Sequence, residues 1–527
     1  MERSFYGTAD ILNPSETVLT GEAKRFWRLL TLMFAAGAIL RVFVIYTFPN
    51  FYGPGDPAIY FTMGRSILQG NGPEVSFIWH HLTHSDIVHY EDYYEPVFGL
   101  LVAMTLFVTG GSVAGAKCLS LLFGLATIPA AAIITRRRAG FAAGLWAAAI
   151  VSFQPYLIYH SGLLMKETMV ACLFLILWDI CSRRLEDSPS PKTGFLIGIL
   201  IGVYGLLQYE SFPVTSVAIF GYLLLRHRSL LVPAGMGLLL IVVPLLALSW
   251  HFMGVPISAK FLFFFGHDLN TPGVADEFQW TKLFKVIPPV GFIVKQLFLG
   301  LEFPLYVFGA WQTWRWRRSG FGLLLLLLAI SRIYFHGVPR ELWRRDVMTL
   351  VPLLAVPAAA GISSFQCWLV YRLKLPPWQV SAVLVAALIG TFHTYVGYDQ
   401  IYRNHQFREE DYQAAQLRRY KACTEIREAV EQGVVRKGEA ILADEMVEEI
   451  YLFSGHPTVR YPNDIELVPG LVERYRLRYL LLPAFTPSYD WQKQLAGLTY
   501  KNVFRLEAGY VLVELHPLQK QKQAPRK

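Results

Sequence analysis

The chain has 527 residues, of which 54% are hydrophobic and only 17% charged, with a formal net charge of +9. A soluble globular domain carries roughly 25% charged residues, so this composition with its repeated long apolar runs excludes a purely aqueous fold and indicates a polytopic membrane protein. The excess of cations does not indicate nucleic acid, because Lys and Arg gather beside the ends of the apolar runs, as the positive-inside rule describes.

The first apolar run, residues 26–48, begins among Lys24, Arg25 and Arg28. Those cations place the N-terminal leader, residues 1–25, in the cytoplasm, and the run is long enough to span rather than to act as a cleaved signal. Residues 49–95 then lie outside the cytoplasm. This segment is too polar to cross a bilayer, with Asp56, Glu74, Asp86, Glu91, Asp92 and Glu95 set against Arg65 as its one cation. A long polar loop inside a compact architecture is usually functional.

Residues 97–109 are apolar but too short to cross, which suits an interfacial or re-entrant segment. Ten further spans are predicted at about 113–135, 141–159, 168–181, 195–209, a run ending at Arg226-His227-Arg228, 230–250, 289–310, 321–335, 347–370 and 380–398. The ends assigned to the cytoplasm carry Arg136-Arg137-Arg138, Arg183-Arg184, Lys192, Arg226, Arg315 to Arg318, Arg372 and Lys374. The pattern predicts about eleven spans within a membrane domain of residues 26–398. Arg41 and Lys117 lie near outer ends, where their long side chains are expected to snorkel to the headgroups. Lys295 and Glu302, seven apart, share a face of the eighth span.

From residue 399 the composition becomes that of a soluble domain, ending near 518 and followed by a basic tail, 519–527. A charged helix is predicted over 407–432. It is followed by a strand (440–443), two helices (445–454 and 464–475), a strand (479–482), a helix near Trp491 and a strand (510–515). This alternation suggests a small α/β domain with a mainly parallel sheet outside the cytoplasm. Its helices follow no Gly-rich phosphate loop, so no nucleotide is assigned. Of five cysteines, only Cys423 lies outside the spans, and they form no disulfide framework or zinc pattern.

On this topology the outer face collects Asp56, the cluster from His80, His81, His84 and His89 to Glu91, Asp92 and Glu95, then Glu167, Glu210 and the cations Arg340, Arg344 and Arg345. Acids on one loop and arginines on another suit transfer from a phosphorylated donor. A carboxylate can take the proton of an acceptor hydroxyl, and arginines can hold a departing phosphate. Each residue also has a plainer role. Asp56 could be a turn-former between Gly55 and Pro57, Glu167 a helix-start charge, and the arginines headgroup anchors. The histidine–acid cluster could bind a divalent metal, but its spacing matches no metal motif and none is assigned.

The order of these segments resembles the C-type (GT-C fold) glycosyltransferases, especially the protein O-mannosyltransferase and aminoarabinose-transferase branch. Gly55-Asp56-Pro57-Ala58-Ile59-Tyr60 stands where that family has Asp-Glu followed by a Tyr. Glu95-Pro96 resembles its step into the next helix. Phe153-Gln154-Pro155 through Lys166-Glu167-Thr168 looks like its second acidic outer loop, and Arg344-Arg345-Asp346 through Pro352 like its late Arg-Tyr…Pro motif. Pro57 replaces the second acid and Asp346 the usual Tyr.

The resemblance implies an inverting transfer from a polyprenyl-phosphate sugar to an acceptor hydroxyl on a protein, lipid or glycan. Asp56 and Glu167 would be catalytic, and Arg340, Arg344 and Arg345 would bind the donor phosphate. Tyr60, His80, His81 and Glu95 would meet the substrate, in a multi-pass protein of the inner (plasma) membrane. The alternatives are a transporter or flippase of a lipid-linked glycan, which usually shows an inverted repeat not seen here, and a surface-polysaccharide polymerase or ligase.

Overall fold

The computed structural model describes residues 16–47, 56–78, 86–91, 94–209, 212–253, 303–336, 349–387, 409–443, 446–462, 465–484, 492–495 and 498–516. In order, the first elements of the chain and its membrane core are α1 (Glu16–Thr47), α2 (Asp56–Leu68), β1 (Glu74–Val75), β2 (Phe77–Ile78), β3 (His89–Tyr90) and α3 (Pro96–Val108). The core continues with α4 (Val113–Phe153), α5 (Pro155–Ser161), α6 (Glu167–Asp187), α7 (Pro191–Leu207), α8 (Phe212–Arg226) and α9 (Leu231–Met253). It closes with α10 (Phe303–Arg315), α11 (Gly320–His336), α12 (Val351–Leu373) and α13 (Pro377–Ala387).

Apolar segments become helices here because a bilayer offers no water to pair an open backbone. Stretches of α1, α4, α9 and α12 are long and apolar enough to cross a membrane, and α3, α7, α8 and α13 are shorter apolar helices. Their packed sides form one core from Phe26, Ile128, Phe174, Trp178, Ile219 and Val356. Other large apolar side chains on the same helices, such as Leu32, Phe43, Val232 and Leu239, face outward, as lipid-facing residues do. Between α7 and α9 the backbones nearly touch. A Cβ on Gly198 would lie 2.0 Å from the Ala234 carbonyl oxygen, so only glycine fits there.

The expected second and third spans are one run of helix broken at Gly140, whose φ of 87° and ψ of −177° turn the chain directly after Arg136-Arg137-Arg138. The third span stops at Phe153, short of residue 159. Gln154 caps a new helix by accepting from the Leu157 amide at 2.7 Å, with Pro155 in its first turn.

Arg41 does not snorkel. It is 0% exposed, and its guanidinium donates to the carbonyls of Val151 (2.8 Å), Ser152 (3.0 Å) and Gly37 (3.0 Å) and to Ser161 Oγ (3.2 Å). A cation held by the last carbonyls of a helix is favoured by the helix dipole and satisfies acceptors that the helix leaves open. Lys117 is likewise buried. At the other end of the bundle, Asp179 accepts from Arg138 (3.1 Å) and Arg183 (2.9 Å). Lys295 and Glu302 lie outside the described residues.

The C-terminal elements are α14 (Glu409–Glu431), β4 (Ile441–Ala443), α15 (Val447–Ser454), β5 (Thr458–Arg460), α16 (Val468–Tyr475), β6 (Tyr479–Pro483), β7 (Tyr500–Arg505) and β8 (Tyr510–Leu515). The strands form a six-stranded sheet in the order β2-β5-β4-β6-β8-β7. The first four strands pair in parallel, and β6, β8 and β7 pair antiparallel. The sheet is therefore mixed, its antiparallel part built by the β7–β8 hairpin.

Alternate residues serve opposite faces. Leu442, Leu480 and Val513 pack against α16, while Ile441, Leu481 and Leu512 pack against Ala422, Cys423 and Ile426 of α14. Helices on both faces explain the apolar run 479–482 of β6 and the run 510–513 of β8.

The edge strand β2 does not come from the C-terminal region. It belongs to the 49–95 segment, where Phe77 and Ile78 pair with Thr458 and Val459. The segment between α1 and α3 and the C-terminal region thus share one sheet. Helix α15 reinforces the joint, with Val447 packed among Ile59, Met63, Val75 and Phe77.

Candidate active site

Asp56 opens α2, so its carboxylate sits at the positive end of the helix dipole. It is half-buried. The Tyr94 hydroxyl donates to Asp56 Oδ1 at 2.8 Å. Tyr94 is itself tethered, its amide donating to Glu91 Oε1 at 3.2 Å, and its ring packs edge-on against Tyr60 at 5.6 Å between centroids.

Beneath Asp56 lies a buried polar knot. Glu95 precedes α3 at its N-cap, with Pro96 behind it, but its carboxylate does not cap that helix. It turns inward to form a salt bridge with Lys166, accepts from the Tyr60 hydroxyl at 3.3 Å, and accepts from the Tyr209 amide at 3.0 Å. Tyr60 and Glu95 are both 0% exposed. Both were expected to meet substrate, and both are joined here to the same buried network.

Burial pushes the Tyr60 hydroxyl well above its ordinary pKa, and the charges of Glu95, Asp56 and Glu167 push it further. It stays protonated and donates. The same interactions place Glu167 in this acidic group. Glu167 begins α6 and is buried. The turn before it is pinned to α4 by Ser120, which donates to the Met165 carbonyl at 2.7 Å and whose own carbonyl accepts from Thr168 Oγ1 at 3.0 Å.

Asp56, Tyr60, Glu95 and Glu167, separated by up to 111 positions, thus converge on one site. His80, His81, Arg340, Arg344 and Arg345 lie outside the described residues. His89 is described, and its Nδ1 lies 3.0 Å from the Ile87 carbonyl oxygen. Among the described residues, no group of three or more His, Cys, Asp or Glu side chains could hold a metal ion.

Two contributors were not among the expected site residues. Lys166 was visible only as the neighbour of Glu167. Tyr94 stood in an aromatic–acidic run with nothing to mark it.

No family model matches the sequence, and no curated protein sequence matches it. Solved structures do. ArnT from Cupriavidus metallidurans bound to undecaprenyl phosphate is 13% identical, over 94% of this chain and 98% of its own, with a TM-score of 0.57. AglB, the archaeal oligosaccharyltransferase from Archaeoglobus fulgidus, in complex with an inhibitory peptide and a dolichol-phosphate, is 14% identical over 95% of this chain and 75% of its own, with a TM-score of 0.55. The same oligosaccharyltransferase in complex with Zn and sulfate is 14% identical over 92% and 73%, with a TM-score of 0.56. At these identities the likeness establishes architecture: the chain has the GT-C-like membrane fold that its outer-loop motifs implied, shared with ArnT and the archaeal oligosaccharyltransferase.

Proposed function

We propose that this protein is an integral-membrane glycosyltransferase that moves a sugar from a polyprenyl-phosphate donor to an acceptor hydroxyl on the extracytoplasmic face, with inversion. The observation that carries the reading is Asp56, half-buried at a helix start and oriented by Tyr94 at 2.8 Å. Support comes also from the fold, since one structural neighbour is bound to undecaprenyl phosphate and another to a dolichol-phosphate.

In the proposed step the acceptor oxygen attacks the anomeric carbon from the face opposite the phosphate. The bond from that carbon to the phosphate oxygen breaks, and the phosphate leaves with the electron pair. The acceptor proton passes to Asp56, a general-base contribution of ~10²–10⁴-fold. The phosphate leaves as a stable anion and needs no strong acid. Arg340, Arg344 and Arg345 would steady its charge. Glu167 is proposed as the second catalytic carboxylate.

The test is a transfer assay on the purified full chain in nanodiscs. A panel of undecaprenyl-phosphate hexoses and pentoses is offered with a mixture of cell-envelope lipids, glycans and peptides. Release of undecaprenyl phosphate coupled to appearance of a sugar on one acceptor is expected. Movement of intact donor between leaflets with no release from any panel member would overturn the reading in favour of a flippase.

A further inference from the structure

Helix α15 lies against the catalytic loop along one stripe. Val447 packs beside Ile59 and Met63, Tyr451 faces Phe77 with ring centroids 6.2 Å apart, and Leu452 packs against the cluster of Tyr60, Phe61 and Phe98. Residues 447, 448, 451 and 452 share a helical face. Asp56, Ile59, Tyr60 and Met63 share the face of α2 that meets it. Glu448 therefore enters this interface beside the start of α2.

Glu448 is 2% exposed, and its Oε2 has no hydrogen-bond partner among the described residues. Burial pushes its carboxyl well above the usual range and the charges of Glu449 and Asp56 push it further, while a hydrogen bond from its own backbone and the charge of Arg419 on α14 oppose them only in part. A buried carboxyl that keeps its proton is a hydrogen-bond donor, and an unmade donor in this setting is costly.

Resting on the reading of Asp56 as the base, we propose that Glu448 is a positioning residue of the reaction site, a buried carboxyl delivered by the C-terminal domain that donates a hydrogen bond on the Asp56 side of the interface. The C-terminal domain then completes the site rather than merely covering it. Through α15 and the shared strand β2, its seating on the outer loop sets where Asp56 points.

The test compares Glu448→Gln, which keeps a donor, with Glu448→Met, which keeps the volume and removes it. Both are assayed as full chains in nanodiscs, with the panel donor that turns over, beside Asp56→Asn. Glu448→Met should lower kcat roughly 10–100-fold, the worth of a hydrogen bond to a charged group, with the donor KM unchanged. Glu448→Gln should restore most of the rate. Wild-type kcat in Glu448→Met would reduce Glu448 to packing, and equal loss in both variants would show that a donor is not what is required. Either result overturns the proposal. Wild-type transfer by Asp56→Asn would instead overturn the base assignment on which it rests.

Discussion

The Tyr94 hydroxyl donates to Asp56 Oδ1 at 2.8 Å across 38 positions of sequence. The bond fixes one carboxylate oxygen and so sets the direction in which the other is presented. Tyr94→Phe keeps the ring packed on Tyr60 and removes only this donor. It should lower kcat about tenfold, the equivalent of roughly 1.4 kcal/mol, with the donor KM unchanged. Steady-state kinetics checks this, and an unchanged kcat would leave Asp56 oriented by other groups.

The salt bridge between Glu95 and Lys166 joins α3 to the start of α6 with both side chains enclosed. Losing one partner strands the other charge without water, which costs roughly 3–5 kcal/mol. Lys166→Met should therefore lower the thermal unfolding midpoint in detergent strongly. Adding Glu95→Gln should recover part of the loss, because the stranded charge is then removed. A single variant that melts like the wild type would contradict the enclosure seen here.

Arg41 ties α1 to the end of the α4 helix through Val151 and Ser152. Arg41→Met leaves those carbonyls with no donor, at about 1–3 kcal/mol for each buried group left unsatisfied. The variant should express poorly or melt early, while a surface-lining change such as Leu32→Met should not. Equal melting of the two would return Arg41 to the headgroup region.

Glu514 gives the C-terminal sheet a pH signature. Burial works against its ionisation, but the Asn502 amide and the Arg478 guanidinium, the latter donating at 3.0 Å, outweigh it and hold the carboxyl below its usual range. A carboxyl lowered in the folded state stabilises that state above its unfolded pKa and loses this contribution as pH falls through the folded one. Below about pH 4, the ordinary glutamate range, stability of the sheet should fall with pH, and Glu514→Gln should flatten the slope. Unfolding followed by near-UV circular dichroism across pH 3–7 checks it; equal slopes would assign the acid loss to other groups.

Much of this architecture was readable because single physical rules dominate it. Apolar length marks the helices, and the strand expected over 510–515 has those ends in the structure. Helix Glu409–Glu431 was found within two residues of its expected ends. The joint between loop and domain was not readable. β2 has only two residues, and its partner strand lies 381 positions away, so no local periodicity announces it. β5 is nearly as short, with three residues. The site was half legible for a related reason. Asp56 stood out by following the first span, whereas Tyr94, Lys166 and Glu448 acquire meaning only from what folding sets beside them. Arg41 was misjudged because the hydropathy of one helix says nothing of the carbonyls a second helix offers it.

The most direct measurement is single-turnover transfer by Asp56→Asn in nanodiscs, with undecaprenyl phosphate binding measured on the same preparation. Asparagine keeps the shape and the Tyr94 contact but is a far weaker proton acceptor, so the rate should fall by ~10²–10⁴-fold while undecaprenyl phosphate binds as it does to the wild type. Transfer at the wild-type rate would contradict Asp56 as the base.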